Sequence, residues 1–132
     1  MLSAPKEEYQ THILNSLSQW EKISNRFLPS LSRTFSVNEN TVNQAIRRMI
    51  FSHDIGKLTK SWQAAIANGK KGPPHSALSA AYLFQWNKKL ERNINIGNAC
   101  MFAVLIHHID SAIADENLES PDAQTIRRFF LT

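Results

Sequence analysis

Six side chains in this sequence are suited to binding divalent metal ions. They are five histidines and one aspartate that directly follows a histidine: His12, His53, Asp54, His75, His107 and His108. Imidazole nitrogens favour borderline transition metals such as Mn, Fe, Co, Ni or Zn, and the carboxylate adds a negatively charged oxygen ligand. The single cysteine, Cys100, excludes the CxxC pairs of structural zinc sites. The chemistry to consider is therefore that of an imidazole-rich metal site.

The histidines lie on or beside the apolar faces of their segments. His53 and His107 each extend the apolar stripe of a helix, while His12 and His75 lie beside the stripes of two others. A single inward histidine is more often a hydrogen-bonded core residue than a ligand. The complete set is harder to explain in that way, because several buried imidazoles all need polar partners. His53 and Asp54 are neighbours about 100° apart on a helix, so they can meet one metal, or two close metals, only near a helix end or with an intervening bridge.

Helical periodicity predicts five or six helices and almost no strand. The predicted segments run from about Lys6 to Leu28, from Asn38 or Asn40 through Ile50, from Thr59 to Ala67, from Ser76 to Leu90, from Ile96 to Ile109, and from Pro121 through Phe130. We expect Pro29 to end the first helix, Gly56 to end or loosen the second, and Asn68-Gly69 to end the third. The fifth helix is apolar almost all round, which predicts a central position. The sequence thus predicts one all-α domain over residues 1–132.

Composition excludes several classes of protein. The chain has 132 residues, 42% of them hydrophobic and 20% charged, which is ordinary for a globular domain. Its longest apolar run, residues 99–106, is too short to cross a bilayer, and its first residues lack the pattern of a signal peptide. Cys100 lies in an apolar stretch, so we expect it to be buried in a protein of the reducing cytoplasm. A net charge of +4 is compatible with a polyanionic substrate without demonstrating one.

The order of these residues resembles the HD-domain metal-dependent phosphohydrolases. The matching segments are His12, "HDIGK" from His53 to Lys57 followed by "WQ", "HSALSAAYL" from His75, and the pair His107-His108. More narrowly, the combination is similar to the HD nuclease domain of the type I CRISPR-associated nuclease–helicase, which occurs alone or at the N-terminus of a fused enzyme. The resemblance covers residues 12–108. It implies an HD-domain bundle of five to six helices around a metal site.

The resemblance also implies a centre of two divalent ions, with Mn, Ni, Fe or Co expected and Mg or Zn as further candidates. The implied ligands are His12 and His53 for one ion, His75, His107 and His108 for the other, and Asp54 as the bridge. Lys57 would contact a substrate phosphate or orient Asp54. Such a centre ionises a water molecule and clamps the phosphate oxygens.

The family carries a further aspartate ligand later in its chain. The candidates here are Asp110, Asp115 and Asp122, all close after the last histidine pair. Several explanations stay open: one of the three is the ligand, the ligand is absent or comes from elsewhere, or the chain is a fragment of a longer domain or of a nuclease–helicase fusion.

The resemblance implies a cytoplasmic prokaryotic enzyme that hydrolyses phosphodiester bonds, with single-stranded DNA as substrate, in CRISPR antiviral interference. Its partners would be a helicase and a CRISPR surveillance complex, with no membrane involved. Two alternatives stay open: an HD phosphohydrolase acting on nucleotides or other phosphate monoesters, and a degenerate HD domain that serves only as an interaction module.

Substrate contacts are less readable from the sequence. The lysines Lys60, Lys70 and Lys71 lie in and before a "GKKGPP" loop that leads directly into His75. Such a basic loop can follow a nucleic-acid backbone, although a solvated loop is as good an explanation. Trp62 and Trp86 could stack on bases, but their helical spacing favours core packing.

Overall fold

The chain begins with a short β-hairpin and continues as a bundle of helices. The computed structural model describes residues 1–90 and 94–108, in which strand β1 (Leu2–Ala4) pairs antiparallel with β2 (Glu7–Glu8). The helices are α1 (Tyr9–Phe35), α2 (Glu39–Ser52), α3 (Lys60–Ala67), α4 (Ser76–Leu90) and α5 (Ile94–Ile106), with a 3-10 helix (Ile55–Leu58) between α2 and α3. The predicted all-α class is confirmed.

Local sequence signals explain three of the helix boundaries. The side chain of Asn38 accepts a hydrogen bond from the backbone N–H of Thr41 at 2.8 Å, so Asn38 is the N-cap of α2. Thr59 caps α3 in the same way. Gly69 follows the end of α3 with φ of 67°, a left-handed conformation that glycine adopts without strain. These three boundaries agree with the prediction.

The prediction that Pro29 ends the first helix is wrong. Helix α1 continues through Pro29 to Phe35, although proline has no N–H to donate to the carbonyl of Asn25, four residues earlier. The turns around the proline carry Leu28, which is buried, and Leu31 and Phe35, which pack against the core. Burial of these side chains outweighs the lost hydrogen bond, and α1 ends only at Ser36, which lies in the left-handed region with φ of 54°.

The hairpin before α1 was not predicted either. The sequence led us to expect helix from about Lys6, yet residues 2–8 form the two strands. Pro5 and Lys6 make the turn between them, with Lys6 at a φ of 69°. Strands of three and two residues are too short to show an alternating pattern, so periodicity could not reveal them.

Helix α2 lies at the centre of the described bundle, because it packs against α1, α4 and α5. Its Val42 belongs to the buried core together with Leu83 of α4 and Ile96 and Val104 of α5. The expectation that α5 is central holds for one face only, because its Phe102 is 56% exposed.

Two expectations fall outside the described residues. The helix predicted from Pro121 and the three candidate aspartates Asp110, Asp115 and Asp122 all lie beyond residue 108. Within residues 1–90 and 94–108, none of the helices combines the length and apolar character that crossing a bilayer requires.

Candidate metal centre

The end of helix α2 explains how two adjacent residues face the same site. The helix ends at Ser52, His53 caps it with helical dihedrals, and Asp54 departs from them with φ of −113° and ψ of 10°. This change of backbone direction turns the Asp54 carboxylate into the interior, where the residue is only 2% exposed. Of the two ways in which we expected His53 and Asp54 to share a site, this geometry corresponds to the position near a helix end.

The Asp54 carboxylate lies between two groups of imidazoles. Its Oδ1 is 2.9 Å from Nε2 of His75 and 3.4 Å from Nε2 of His107. Its Oδ2 is 3.2 Å from Nε2 of His12 and 3.5 Å from Nε2 of His53. Each oxygen therefore serves a different group, which is the arrangement that a bridging carboxylate needs.

The ring nitrogens within each group also approach one another. Nε2 of His12 lies 3.2 Å from Nε2 of His53, and Nε2 of His108 lies 3.1 Å from Nε2 of His75. The possible ligand atoms form two sets, each within 4.8 Å of one another, which share one carboxylate: His12, His53 and Asp54, and Asp54, His75, His107 and His108. The structure thus brings all six residues singled out from the sequence together, in the same two groups.

Backbone carbonyls orient two of these rings. Nδ1 of His53 lies 2.6 Å from the carbonyl oxygen of Ile50, and Nδ1 of His107 lies 2.5 Å from that of Val104. A carbonyl oxygen only accepts hydrogen bonds, so Nδ1 must carry the proton in both rings. In the neutral imidazole the lone pair is then on Nε2, the atom that faces Asp54. This is the tautomer that a metal requires at that position.

The surroundings favour the neutral form of His53 and His108 and the ionised form of Asp54. Burial lowers the pKa of His53, outweighing the hydrogen bond to Ile50 and the charge of Asp54. Burial and the neighbouring His107 and His75 lower the pKa of His108 to about 4. Burial alone would raise the pKa of Asp54, but the neighbouring side chains of His107, His75 and Lys57 hold that pKa below the ordinary value. Neutral imidazole and ionised carboxylate are the forms that bind metals.

Lys57 is the charged side chain closest to Asp54. Its Nζ donates to Asp54 Oδ2 at 2.7 Å, and its side chain is largely buried. The same ammonium lies 5.6 Å from the ring centroid of Trp62. Of the two roles expected for Lys57, orientation of Asp54 corresponds to a direct contact in the structure.

Two glycines set the spacing of the segments around the site. Gly56 donates its N–H to Oγ of Ser79 at 2.9 Å, and a Cβ at Gly56 would fall 2.4 Å from the carbonyl oxygen of His75. Absence of a side chain, rather than an unusual backbone conformation, is what this position requires. A Cβ at Gly72 would fall 2.3 Å from Nε1 of Trp62, so the "GKKGPP" loop lies directly on that ring.

The residues expected to touch substrate differ in their surroundings. Lys60, Lys70 and Lys71 are exposed, in the first turn of α3 and in the loop that follows it. Trp62 is 5% exposed and belongs to the packed interior, as its spacing indicated. Trp86 is half-buried and meets Phe51 edge to face.

Two residues near the site were missed in the sequence. Oε2 of Glu7 lies 3.3 Å from Nδ1 of His12, on the ring edge opposite Asp54. Gln63 was noticed only as part of a motif, yet its amide donates to the carbonyls of Leu2 and Lys57 at 2.8 and 2.9 Å. Gln63 thereby ties the hairpin to the turn after Asp54. No spacing signal reveals either residue, since both contacts depend on how the hairpin folds back.

The donor set fits divalent metal ions. Five imidazoles around one ionised carboxylate suit transition metals better than Mg²⁺, which prefers oxygen ligands. The carboxylate is almost fully buried, and two of the Nε2 atoms that face it, those of His53 and His107, carry lone pairs in the neutral ring, so a cation between them and the carboxylate is favourable. The cluster can therefore hold metal; the identity and number of the ions stay predictions.

Comparison with known proteins gives an independent assignment. The family model described as "Cas3, HD domain" matches residues 7–128. A protein named CRISPR-associated endonuclease Cas3-HD from Pyrococcus furiosus is 26% identical over 104 residues, covering 74% of this chain and 44% of the relative. Another of the same name, from Methanocaldococcus jannaschii, is 28% identical over 105 residues, covering 74% and 43%.

The chain thus spans less than half the length of these two relatives. The family model nevertheless covers all six clustered residues and most of the sequence around them. The resemblance that the motifs indicated is confirmed, and the chain belongs to the Cas3 HD-domain family.

Proposed function

We propose that this protein is a metal-dependent nuclease that hydrolyses phosphodiester bonds of single-stranded DNA in CRISPR antiviral interference. The observation that carries the proposal is the position of Asp54, whose two oxygens face two separate groups of imidazoles. The two relatives, both named as CRISPR-associated endonucleases, support the same reaction. A helicase that supplies the single strand and a CRISPR surveillance complex are the proposed partners.

We assign the metal ligands by the two groups that the carboxylate separates. The first set is His12, His53 and Asp54, and the second is Asp54, His75, His107 and His108. Divalent ions bound there would supply Lewis acidity, which lowers the pKa of water and neutralises charge on the phosphate. Because imidazoles dominate both sets, Mn, Ni, Fe or Co suits them best.

The protein's own residues perform the remaining tasks in this proposal. Asp54 holds the two ligand groups at a fixed separation, because each of its oxygens belongs to one of them. Lys57 neutralises this carboxylate in the metal-free protein. With cations held by these ligand sets, the ammonium of Lys57 would be available for a substrate phosphate. The exposed lysines Lys60, Lys70 and Lys71 would guide the nucleic-acid backbone toward the site.

A cleavage assay tests the proposal. The purified protein is incubated with single-stranded DNA, duplex DNA, single-stranded RNA or nucleotides, each with Mn²⁺, Ni²⁺, Mg²⁺ or a chelator. We expect metal-dependent loss of single-stranded DNA and none in chelator. Asp54→Asn should reduce the rate at least about 100-fold, since changing a group that only orients a metal ligand already costs about 10- to 100-fold.

Glu39→Gln is the matched control, since Glu39 is an exposed carboxylate in the first turn of α2. It should cleave as the unmodified protein does. Turnover of nucleotides alone would favour a phosphomonoester hydrolase, and inactivity on every substrate would favour an interaction module. Full cleavage by a folded Asp54→Asn protein would refute the role of Asp54.

A further inference from the structure

Glu7 makes an unassigned contact at the edge of the metal centre. Its Oε2 lies 3.3 Å from Nδ1 of His12, whose Nε2 faces Asp54 Oδ2 at 3.2 Å on the other side of the ring. The same Glu7 oxygen accepts a hydrogen bond from Oγ of Ser3 at 3.0 Å. His12 thus lies between two carboxylates, one buried in the centre and one from the hairpin.

This contact resembles what backbone carbonyls do for two other histidines of the centre. In His53 and His107 an acceptor at Nδ1 requires the proton on that nitrogen and leaves the lone pair on Nε2. An ionised carboxylate is likewise an acceptor only. Glu7 therefore favours the same tautomer in His12, from a side chain rather than from the backbone. In the metal-free protein it competes with two acceptors at the other ring edge, Asp54 Oδ2 and Nε2 of His53. Partners of this kind orient metal-binding histidines and raise the basicity of the ligand nitrogen.

The hairpin that carries Glu7 is fixed at several points. Ser3 is 2% exposed, and its hydroxyl restrains the Glu7 carboxylate from the opposite strand. The backbone N–H and C=O of Leu2 both pair with the side-chain amide of Gln63, at 3.0 and 2.8 Å. Tyr9 donates its N–H to the carbonyl of Met1 at 2.9 Å, which joins the hairpin to the start of α1. The approach of Glu7 to His12 is therefore built into the fold.

We propose that Glu7 is a positioning residue that holds His12 in the Nδ1-protonated tautomer, with Nε2 directed at the first metal site. The inference rests on the proposed assignment of His12 as a ligand. It adds a carboxylate outside the six clustered residues and gives the N-terminal hairpin a function. The effect of Glu7 on the reaction passes through His12 and the metal that His12 holds.

Two measurements test the inference. In metal-free protein, nitrogen-15 NMR of the histidine side chains reports the tautomer of His12 directly. We expect a larger Nδ1–H population in the unmodified protein than in Glu7→Ala, where Asp54 Oδ2 is the carboxylate acceptor left beside the ring. In cobalt titrations followed by visible absorption, Glu7→Ala should weaken one of two binding steps about 10- to 100-fold. Glu7→Gln, which keeps an uncharged acceptor, should fall between the two proteins.

Glu8→Ala is the matched control, because Glu8 is the adjacent, exposed carboxylate and its side chain does not cap α1. It should bind cobalt as the unmodified protein does. The inference is wrong if Glu7→Ala leaves both the tautomer and the cobalt affinity unchanged, or if it weakens both binding steps equally while lowering the melting temperature. If His12→Ala binds cobalt normally, the assignment of His12 as a metal ligand is wrong. The tautomer measurement then still tests whether Glu7 controls the protonation of the His12 ring.

Discussion

Lys57 shows how a single residue can have different partners before and after a metal binds. In the structure its ammonium is 2.7 Å from Asp54 Oδ2, an oxygen that the first metal site would also use. Both side chains are largely removed from solvent, so loss of either partner leaves a buried charge unpaired, which costs more than breaking a surface ion pair. A bound cation would take over the neutralisation of Asp54.

We therefore expect Lys57→Met to lower the free energy of unfolding by about 1–3 kcal/mol in chelator, because a buried acceptor loses its charged donor. The difference should shrink with saturating Mn²⁺. Urea unfolding under the two conditions measures both values. Lys60→Met, which changes an exposed lysine three residues later, should have little effect in either condition. Equal unfolding free energies for Lys57→Met and the unmodified protein in chelator would contradict this role.

For individual residues, the sequence identified the candidate metal ligands but only some of the side chains that contact them. His53 was predictable because it extends an apolar stripe to a helix end, and Asp54 because it directly follows His53 there. Glu7 was not, because its contact with His12 is made by a hairpin too short to leave a pattern. The family resemblance assigned the role of metal ligand to the histidines and Asp54. The contacts made by the N-terminal strands became visible only in the structure.

Among the elements, the turn between α2 and α3 sets the position of α4. Gly56 lies against the backbone of His75, the residue that precedes α4, and its N–H bonds to Ser79 within that helix. A methyl group at Gly56 would meet the His75 carbonyl at 2.4 Å, which is far inside van der Waals contact. Either the turn or the start of α4 must then move, and both carry candidate ligands.

We expect Gly56→Ala to cost about 1–3 kcal/mol of stability, as overpacking typically does, and to weaken metal binding through His75. Thermal unfolding and cobalt titration measure the two effects. Gly69→Asn is the contrasting variant: a Cβ there meets nothing within 4 Å, and asparagine tolerates the left-handed φ of 67°. It should leave the cobalt affinity unchanged. A Gly56→Ala protein with unaltered stability and affinity would show that α4 adjusts freely.

Helix boundaries were predictable where the local chemistry decides them. Asn38, Thr59 and Gly69 are cap or stop signals that act within one turn, and the structure uses all three. Pro29 was misread because the balance at that position is tertiary: Leu28 and Phe35 bury themselves against the core on either side of it. Periodicity shows which residues face inward. It does not show whether the free energy gained by burying them exceeds the cost of a proline inside the helix.

For the molecule as a whole, the predicted all-α bundle agrees with the structure, while the convergence of the helices could not be derived from spacing. His12, His75 and His107 come from three helices or their flanks, and periodicity places each only on a face of its own element. Their common meeting point at Asp54 followed from the family resemblance. The exposed Phe102 also shows that an apolar helix need not be enclosed by the described part of the chain.

Because folding brings His53, His108 and Asp54 into one cluster, the stability of the metal-free protein depends on pH. The pKa of His53 lies below its ordinary 6.5 and that of His108 at about 4, so the unfolded chain takes up protons near 6.5 that the folded protein does not. The unfolded state binds more protons between those values, and stability must therefore fall as the pH drops through that range. The lowered pKa of Asp54 acts in the same direction below its ordinary 3.8, since the folded carboxylate resists protonation.

We therefore expect the melting temperature in chelator to decrease steadily from pH 7 to pH 4. His108→Gln should make the melting temperature fall less between pH 7 and pH 4, because it removes a group that binds a proton at higher pH in the unfolded chain than in the folded protein. Added Mn²⁺ at 100 times its dissociation constant should increase the free energy of unfolding near pH 7 by about 2.7 kcal/mol and raise the melting temperature accordingly. Both increases should be smaller in acid, where protons compete with the metal for the imidazoles. A melting temperature that is constant from pH 7 to pH 4, with and without metal, would mean that these imidazoles are not held neutral by the fold.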